Sequence, residues 1–283
     1  MTQMFCFQCQ ETMRNTGCNA RKGMCGKPAD VARLQDLLIY LLKGISFWGT
    51  RGRNMGVHDD ETDLFVAQAL FSTITNANFD ADRFVELIKK AIALRDSLRQ
   101  RSQARCSELH GNQCSDSGPD WAGWHPENYE IETLLAKAET VGVMDDPTLD
   151  PDVRSLRELI IYGLKGMAAY VDHAYLAGGQ DESVLAFMQE ALEATTNNQL
   201  GVNELLDMVQ KTGEFGVKSM ALLDKANTSR YGHPEPTNVN LGVVPGPGIL
   251  VSGHDLVDLE ELLIQTEGSG IHPRRNAAYQ RLP

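Results

Sequence analysis

A twelve-residue stretch occurs twice in this chain, 122 positions apart, and it narrows the fold more than any other feature. Leu34-Gln-Asp-Leu-Leu-Ile-Tyr-Leu-Leu-Lys-Gly-Ile45 is matched by Leu156-Arg-Glu-Leu-Ile-Ile-Tyr-Gly-Leu-Lys-Gly-Met167. The same offset pairs Ala69-Leu70 with Ala191-Leu192, Thr73 with Thr195, and Asn76 with Asn198. A shared apolar rhythm accounts for the leucines but not for an identical Tyr, Lys and Gly, so the match predicts a repeated supersecondary unit. Apolar residues recur at helical spacing through Leu34, Leu37, Leu38, Leu41, Leu42 and Ile45, then through Phe84, Leu87, Ile88, Ala91, Leu94 and Leu98. Further helical patterns cover 152–176, 182–195 and 202–223. The chain is therefore predicted to be mainly α, with two similar three-helix bundles at 29–104 and 151–230.

The connection at 105–150 is different. From Arg105 to Pro126 it is rich in Ser, Gly, Asp and Pro and reads as a loop. It carries Cys106, His110 and Cys114, whose spacing suits a metal, although solvent-facing loop thiols are the plainer reading. Trp121 and Trp124 are expected to pin this loop to a bundle. Over 231–271 the pattern changes again. Two β-prone runs, 238–244 and 248–252, flank a Pro-Gly-Pro-Gly turn and precede a helix over 255–265. This reads as the start of a Rossmann-like α/β domain, truncated because too few residues follow to cover both faces of a parallel sheet.

Bulk properties exclude several functions. The longest apolar runs fall far short of a membrane span, and no leader precedes Cys6, so a soluble cytoplasmic protein is expected. A net charge of −12 would repel a phosphate backbone, and no basic stripe follows a helix, so nucleic acid is not an expected partner. Reduced cysteines are expected in that compartment.

Four of the six cysteines crowd into segment 1–28 as Cys6-x2-Cys9-x8-Cys18-x6-Cys25. Four soft thiolates on a short loop suit an iron-sulfur cluster or tetrahedral zinc. Spacing alone does not choose between them, or exclude unligated thiols. Structural zinc more often uses two Cys-x2-Cys knuckles, and here only the first pair is one. Arg14, Arg21, Lys22 and Lys27 lie among the cysteines, either offsetting the charge of a thiolate-bound cluster or solubilising the surface.

At these residues the chain resembles a known family. Met4-Phe-Cys-Phe-Gln-Cys-Gln-Glu-Thr12, Gly17-Cys18 and Lys22-Gly-Met-Cys-Gly-Lys27 are similar to the N-terminus of the hybrid-cluster proteins, also called prismane proteins or hydroxylamine reductases. The likeness continues through Leu34-Gln-Asp-Leu-Leu38, Thr75-Asn-Ala-Asn78, Leu164-Lys-Gly166, Tyr231-Gly232, Ser252-Gly-His-Asp-Leu256 and Gln265-Thr-Glu-Gly268, nearly the whole chain. The resemblance implies a 4Fe-4S cluster on Cys6, Cys9, Cys18 and Cys25, since members with a longer middle loop carry 2Fe-2S. The final x6 spacing is one residue longer than in some short-loop relatives. It further implies that His254 and Glu267 ligate a second, hybrid 4Fe-2S-2O cluster. On their own, His254 reads as a turn residue and Glu267 as a helix-end charge.

Family members are about twice this length, and their remaining cysteine ligands and second Glu would lie beyond this chain. No cysteine follows Cys114. His254 and Glu267 alone would not retain a multi-iron cluster, because iron with sulfide takes thiolate ligands. The tail, 272–283, departs from the family pattern, and one nucleotide string encodes both the tail and a family-like segment in adjacent frames, so an out-of-frame tail is expected. The resemblance implies reduction of hydroxylamine to ammonia and water, or of nitric oxide, with electrons from a redox donor protein. The chain alone is expected to be inactive. The alternatives are a non-catalytic single-cluster electron-transfer or interaction module, a zinc-stabilised helical domain, and chemistry akin to the carbon monoxide dehydrogenases, which the family resembles in fold.

Overall fold

A computed structural model describes residues 4–9, 14, 16–74, 77–111, 114, 116–238, 242, 244–253 and 255–275. The chain is mainly helical. In order it forms α1 (Ala29–Asn54), α2 (Asp60–Ser72), α3 (Ala81–His110), a 3-10 turn (Asp120–Ala122), α4 (Ile131–Ala138), α5 (Pro151–Leu176), α6 (Glu182–Ala194), α7 (Val202–Tyr231), β1 (Gly248–Val251), α8 (Leu256–Thr266) and β2 (His272–Arg275). α1 and α5 each have 26 residues, α2 and α6 each 13, and α3 and α7 each 30. Contacts divide the chain into two compact units, one of Met1–Asp172 with Asp181–Met220 and one of His173–Gln180 with Ala221–Pro283.

Helix boundaries follow from side-chain caps. The Asp80 carboxylate accepts the backbone N–H groups of Asp82 and Arg83 at 2.9 and 3.2 Å, and Asp181 accepts that of Ser183 at 2.9 Å. α3 runs to His110 and stops at Gly111, whose φ of 67° is the left-handed conformation that glycine supplies cheaply. Cys106 and His110 therefore stand on a helix, where a loop was expected. Cys114 lies at a Cα–Cα distance of 6.1 Å from Cys106, and the two form a disulfide. That corrects the expectation of reduced, unpaired thiols at this pair.

In the first unit α1 is the central element. It packs against α2, α3, α4, α6 and the 3-10 turn, and Leu34, Leu37, Leu38, Leu41, Leu42 and Ile45 are all fully buried. Their core continues through Phe84 and Ile88 of α3, Leu134 of α4, Ile160 and Leu164 of α5, and Phe187 and Leu192 of α6. The 3-10 turn lies close against α1. A Cβ at Gly44 would sit 2.0 Å from the Trp121 carbonyl oxygen, so that contact requires glycine. Trp48 Nε1 donates to the Ala122 carbonyl at 2.9 Å, and fully buried Arg95 donates to the Trp124 carbonyl at 2.7 Å. The tryptophan segment is thus pinned from both α1 and α3.

The second unit contains a strand, a helix and a second strand parallel to the first, with Gly248 opposite His272 and Val251 opposite Arg275. α8 is capped by Asp255, whose carboxylate accepts the Asp258 N–H at 2.8 Å. Glu260 of α8 holds Arg230 and the Tyr231 hydroxyl at 2.7 and 2.9 Å. Two strands cannot bury an apolar sheet face, and Leu250 is 72% exposed. The expected strand at 238–244 falls largely outside the described residues, as do 276–283 of the tail. No helix among the described residues is long and apolar enough to cross a membrane.

Candidate metal centre

Among the described residues of 4–28 there is little regular structure, and two short antiparallel closures shape it. Cys6 and Cys18 exchange backbone hydrogen bonds of 3.0 and 2.9 Å, and Lys22 pairs with Pro28. Gly23 N–H donates to the Lys27 carbonyl and Gly26 N–H to that of Gly23, both at 2.9 Å, which turns the chain around Cys25. The first closure sets two cysteines opposite each other across eleven intervening residues. Cys6 and Cys18 are buried, whereas Cys9 and Cys25 are partly exposed, and all four thiols are free. Met4, Cys6, Cys18 and Ala32 form a small apolar cluster beneath them.

The donor set suits a soft metal group. No three of these thiol sulfurs lie within 4.8 Å of one another; among the described residues only His58, Asp60 and Asp63 form such a set. In that set Asp63 is already held by Arg53 at 2.5 Å.

Electrostatics around the segment are polarised. Burial pushes the Cys6 thiol up, and the Lys27 ammonium opposes the shift. Lys27 is 1% exposed, with its Nζ 4.0 Å from Cys6 Sγ and donating to Gln35 Oε1 at 2.5 Å. A metal bound to thiolates would find a positive charge already in place.

Two helices grip the loop. Gln8, 4% exposed, donates from Nε2 to Asp36 of α1 and accepts at Oε1 from Lys165 of α5. The Tyr162 hydroxyl donates to the carbonyls of Phe7 at 2.6 Å and Cys9 at 3.3 Å, and its ring stacks on Phe7 with centroids 5.6 Å apart. Burial raises the Asp36 carboxyl to about 7 and lowers the Lys165 ammonium to about 8, each shift opposed by the charge of the other. Sequence reasoning missed this grip. The available signal was the Tyr and Lys repeated at identical places in two apolar helices.

The other expected ligands are less well placed. Glu267 is exposed at the end of α8, and His254 lies outside the described residues. His110 stands on α3 beside the Cys106–Cys114 disulfide, which removes those two thiols from any metal site there.

Comparison with known proteins places this arrangement. The model of the Prismane/CO dehydrogenase family matches residues 4–278. A hydroxylamine reductase of Halothermothrix orenii is 55% identical over 268 residues, covering 95% of this chain and 47% of the relative. One of Natranaerobius thermophilus is 50% identical with the same coverage, and one of Petrotoga mobilis is 48% identical over 269 residues, covering 95% of this chain and 49% of the relative. The chain spans about half the length of the curated relatives it matches. With the family model matching from Met4, beside the first cysteine, to Ala278, this chain belongs to the Prismane/CO dehydrogenase family.

Proposed function

We propose that this chain is the N-terminal, electron-accepting part of a cytoplasmic iron-sulfur oxidoreductase that reduces hydroxylamine to ammonia and water. The observation that carries the proposal is the set of four free thiols on one loop, closed by the Cys6–Cys18 pairing and gripped by α1 and α5. Cys6, Cys9, Cys18 and Cys25 would hold a 4Fe-4S cluster. His254 and Glu267 would contribute to a hybrid 4Fe-2S-2O cluster completed outside this chain. Iron held by these residues would supply the electrons and Lewis acidity for the two-electron, two-proton cleavage of the hydroxylamine N–O bond to ammonia and water. Buried Cys6 and Cys18 keep water from one side of the thiol set, while partly exposed Cys9 and Cys25 leave the other open to a redox donor protein. Lys27 stabilises the Cys6 thiolate that any metal requires. Nitric oxide is a second small substrate under this reading, and nucleic acid and membrane are not partners.

The same proposal reads the fold as two repeated three-helix bundles followed by an opening Rossmann-like domain. The matched helix lengths, and the parallel pairing of β1 and β2 through α8, support it. The confinement of the four free thiols to one loop favours a second reading, a non-catalytic single-cluster electron-transfer module.

The test is anaerobic reconstitution of this chain with iron and sulfide, followed by metal and sulfide analysis, visible absorption and hydroxylamine turnover with a low-potential reductant. Iron, sulfide and a visible band that Cys9→Ser and Cys25→Ser weaken are expected, without turnover. Zinc without sulfide would refute the cluster assignment. Turnover by this chain alone would refute its inactivity.

A further inference from the structure

We propose that Tyr162 and Lys165 of α5 are positioning residues that set the geometry and reduction potential of the group bound by Cys6, Cys9, Cys18 and Cys25. The inference rests on the cluster-binding reading above and assigns it two residues far away in sequence. Three positions apart on a helix, Tyr162 and Lys165 share a face. Between them they reach three consecutive loop residues. The Tyr162 hydroxyl takes the Phe7 carbonyl at 2.6 Å and the Cys9 carbonyl at 3.3 Å, and Lys165 takes the Gln8 side chain. Phe7 is held a second time by ring stacking at 5.6 Å.

Fold stability alone does not demand these side chains. Tyr40 and Lys43 occupy the matching places on α1 and do different work. The Tyr40 hydroxyl donates to Asp120, and Lys43 lines a cavity of about 170 Å³ with Asp36 and Glu158. Gln8 also borders that cavity, but among the described residues it is the α5 pair that hydrogen-bonds Phe7, Gln8 and Cys9. Lys165 is 3% exposed, so solvent and salt screen its charge weakly, and while protonated it places a positive potential on the neighbouring thiolates. Gln8 transmits position as well as charge, because its amide is held at both ends, by Lys165 and by Asp36.

The experiment compares Tyr162→Phe and Lys165→Met with Tyr40→Phe and Lys43→Met, all in this chain. In the apoprotein, the alkylation rate of Cys9 by iodoacetamide is mapped by mass spectrometry. Losing a hydrogen bond worth about 1 kcal/mol corresponds to roughly fivefold, so Tyr162→Phe is expected to label Cys9 about five times faster. After reconstitution, Lys165→Met is expected to shift the midpoint potential in the negative direction at unchanged iron content. Lys165→Arg, which keeps the charge, is expected to restore it. The two α1 variants should leave both readouts at the parent values. Parent-like Cys9 labelling in Tyr162→Phe together with a parent-like midpoint in Lys165→Met would overturn the proposal. Equal shifts from the α1 variants would do the same. If the parent chain takes up no iron, the cluster reading fails by itself, and the alkylation rates still decide whether α5 holds the loop.

Discussion

Gly44 and Gly166 sit at the same place in matching Leu-Lys-Gly sequences, yet alanine should affect them in opposite directions. In a helix interior, Gly→Ala gains about 0.5–1 kcal/mol by restricting the unfolded chain. At Gly166 nothing beyond the neighbouring residues and the helix's own backbone lies within 4 Å of the added Cβ, so this gain is retained. At Gly44 the Cβ would lie 2.0 Å from the Trp121 carbonyl oxygen and 3.2 Å from Arg95 Cδ. The carbonyl must retreat by more than 1 Å, in a segment tied down by the Trp48, Arg95 and Lys137 hydrogen bonds. Overpacking of this kind costs about 1–3 kcal/mol. The propensity gain is common to both variants and cancels in their difference, which isolates the clash. Both sites belong to the first unit, so both report on the same unfolding transition. Thermal melts of the reduced apoprotein by far-UV circular dichroism should place Gly44→Ala below Gly166→Ala by about 2–4 °C per kcal/mol. A Gly44→Ala melt equal to or above that of Gly166→Ala would refute the close approach of the tryptophan segment to α1.

Three further outcomes are expected. Arg95→Met leaves the Trp124 carbonyl without its donor, and a loss of about 1–3 kcal/mol in urea unfolding is expected; an unchanged midpoint would count against the buried contact. Burial raises the Asp36 carboxyl to about 7, so the folded chain binds its proton more tightly than the unfolded chain does. Apoprotein stability should therefore fall as pH rises from about 4 to about 7, and Asp36→Asn should flatten that slope in unfolding titrations at several pH values. Thiol titration of the unfolded apoprotein should count four free thiols before reduction and six after, against six throughout if Cys106 and Cys114 are unpaired.

Much of the helical architecture was legible because it is written locally. Leu34 to Ile45 carries its apolar face at helical spacing, and the repeat at 156–167 carries it again. The end of α3 was not legible. Ser-Gln-Ala-Arg-Cys-Ser-Glu-Leu-His110 has a weak apolar rhythm, and its helix is held by the cap at Gly111 and by the Arg105–Glu108 pair. α4 was hidden for a related reason, since eight residues burying only Leu134 and Ala138 give too short a period to stand out. The cysteine spacing located the candidate centre without any structure. The repeated Tyr and Lys marked Tyr162 and Lys165 as unusual but not what they hold, because their grip on the loop depends on tertiary contact and not on local pattern.

The separation between the loop and its clamp has a consequence for biosynthesis. Tyr162 lies 155 residues after Phe7, whose carbonyl it holds. At a synthesis rate of about 5–20 residues per second, roughly 8–30 s separate the two on the ribosome. From the synthesis of Cys25 until the chain reaches Pro151, most of that interval, all four thiols have been made while α5 has not. Metal delivered early would meet a segment without its anchor, so loading in the cell belongs after α5 has been translated, and until then nascent chains must be shielded from adventitious metals and oxidants.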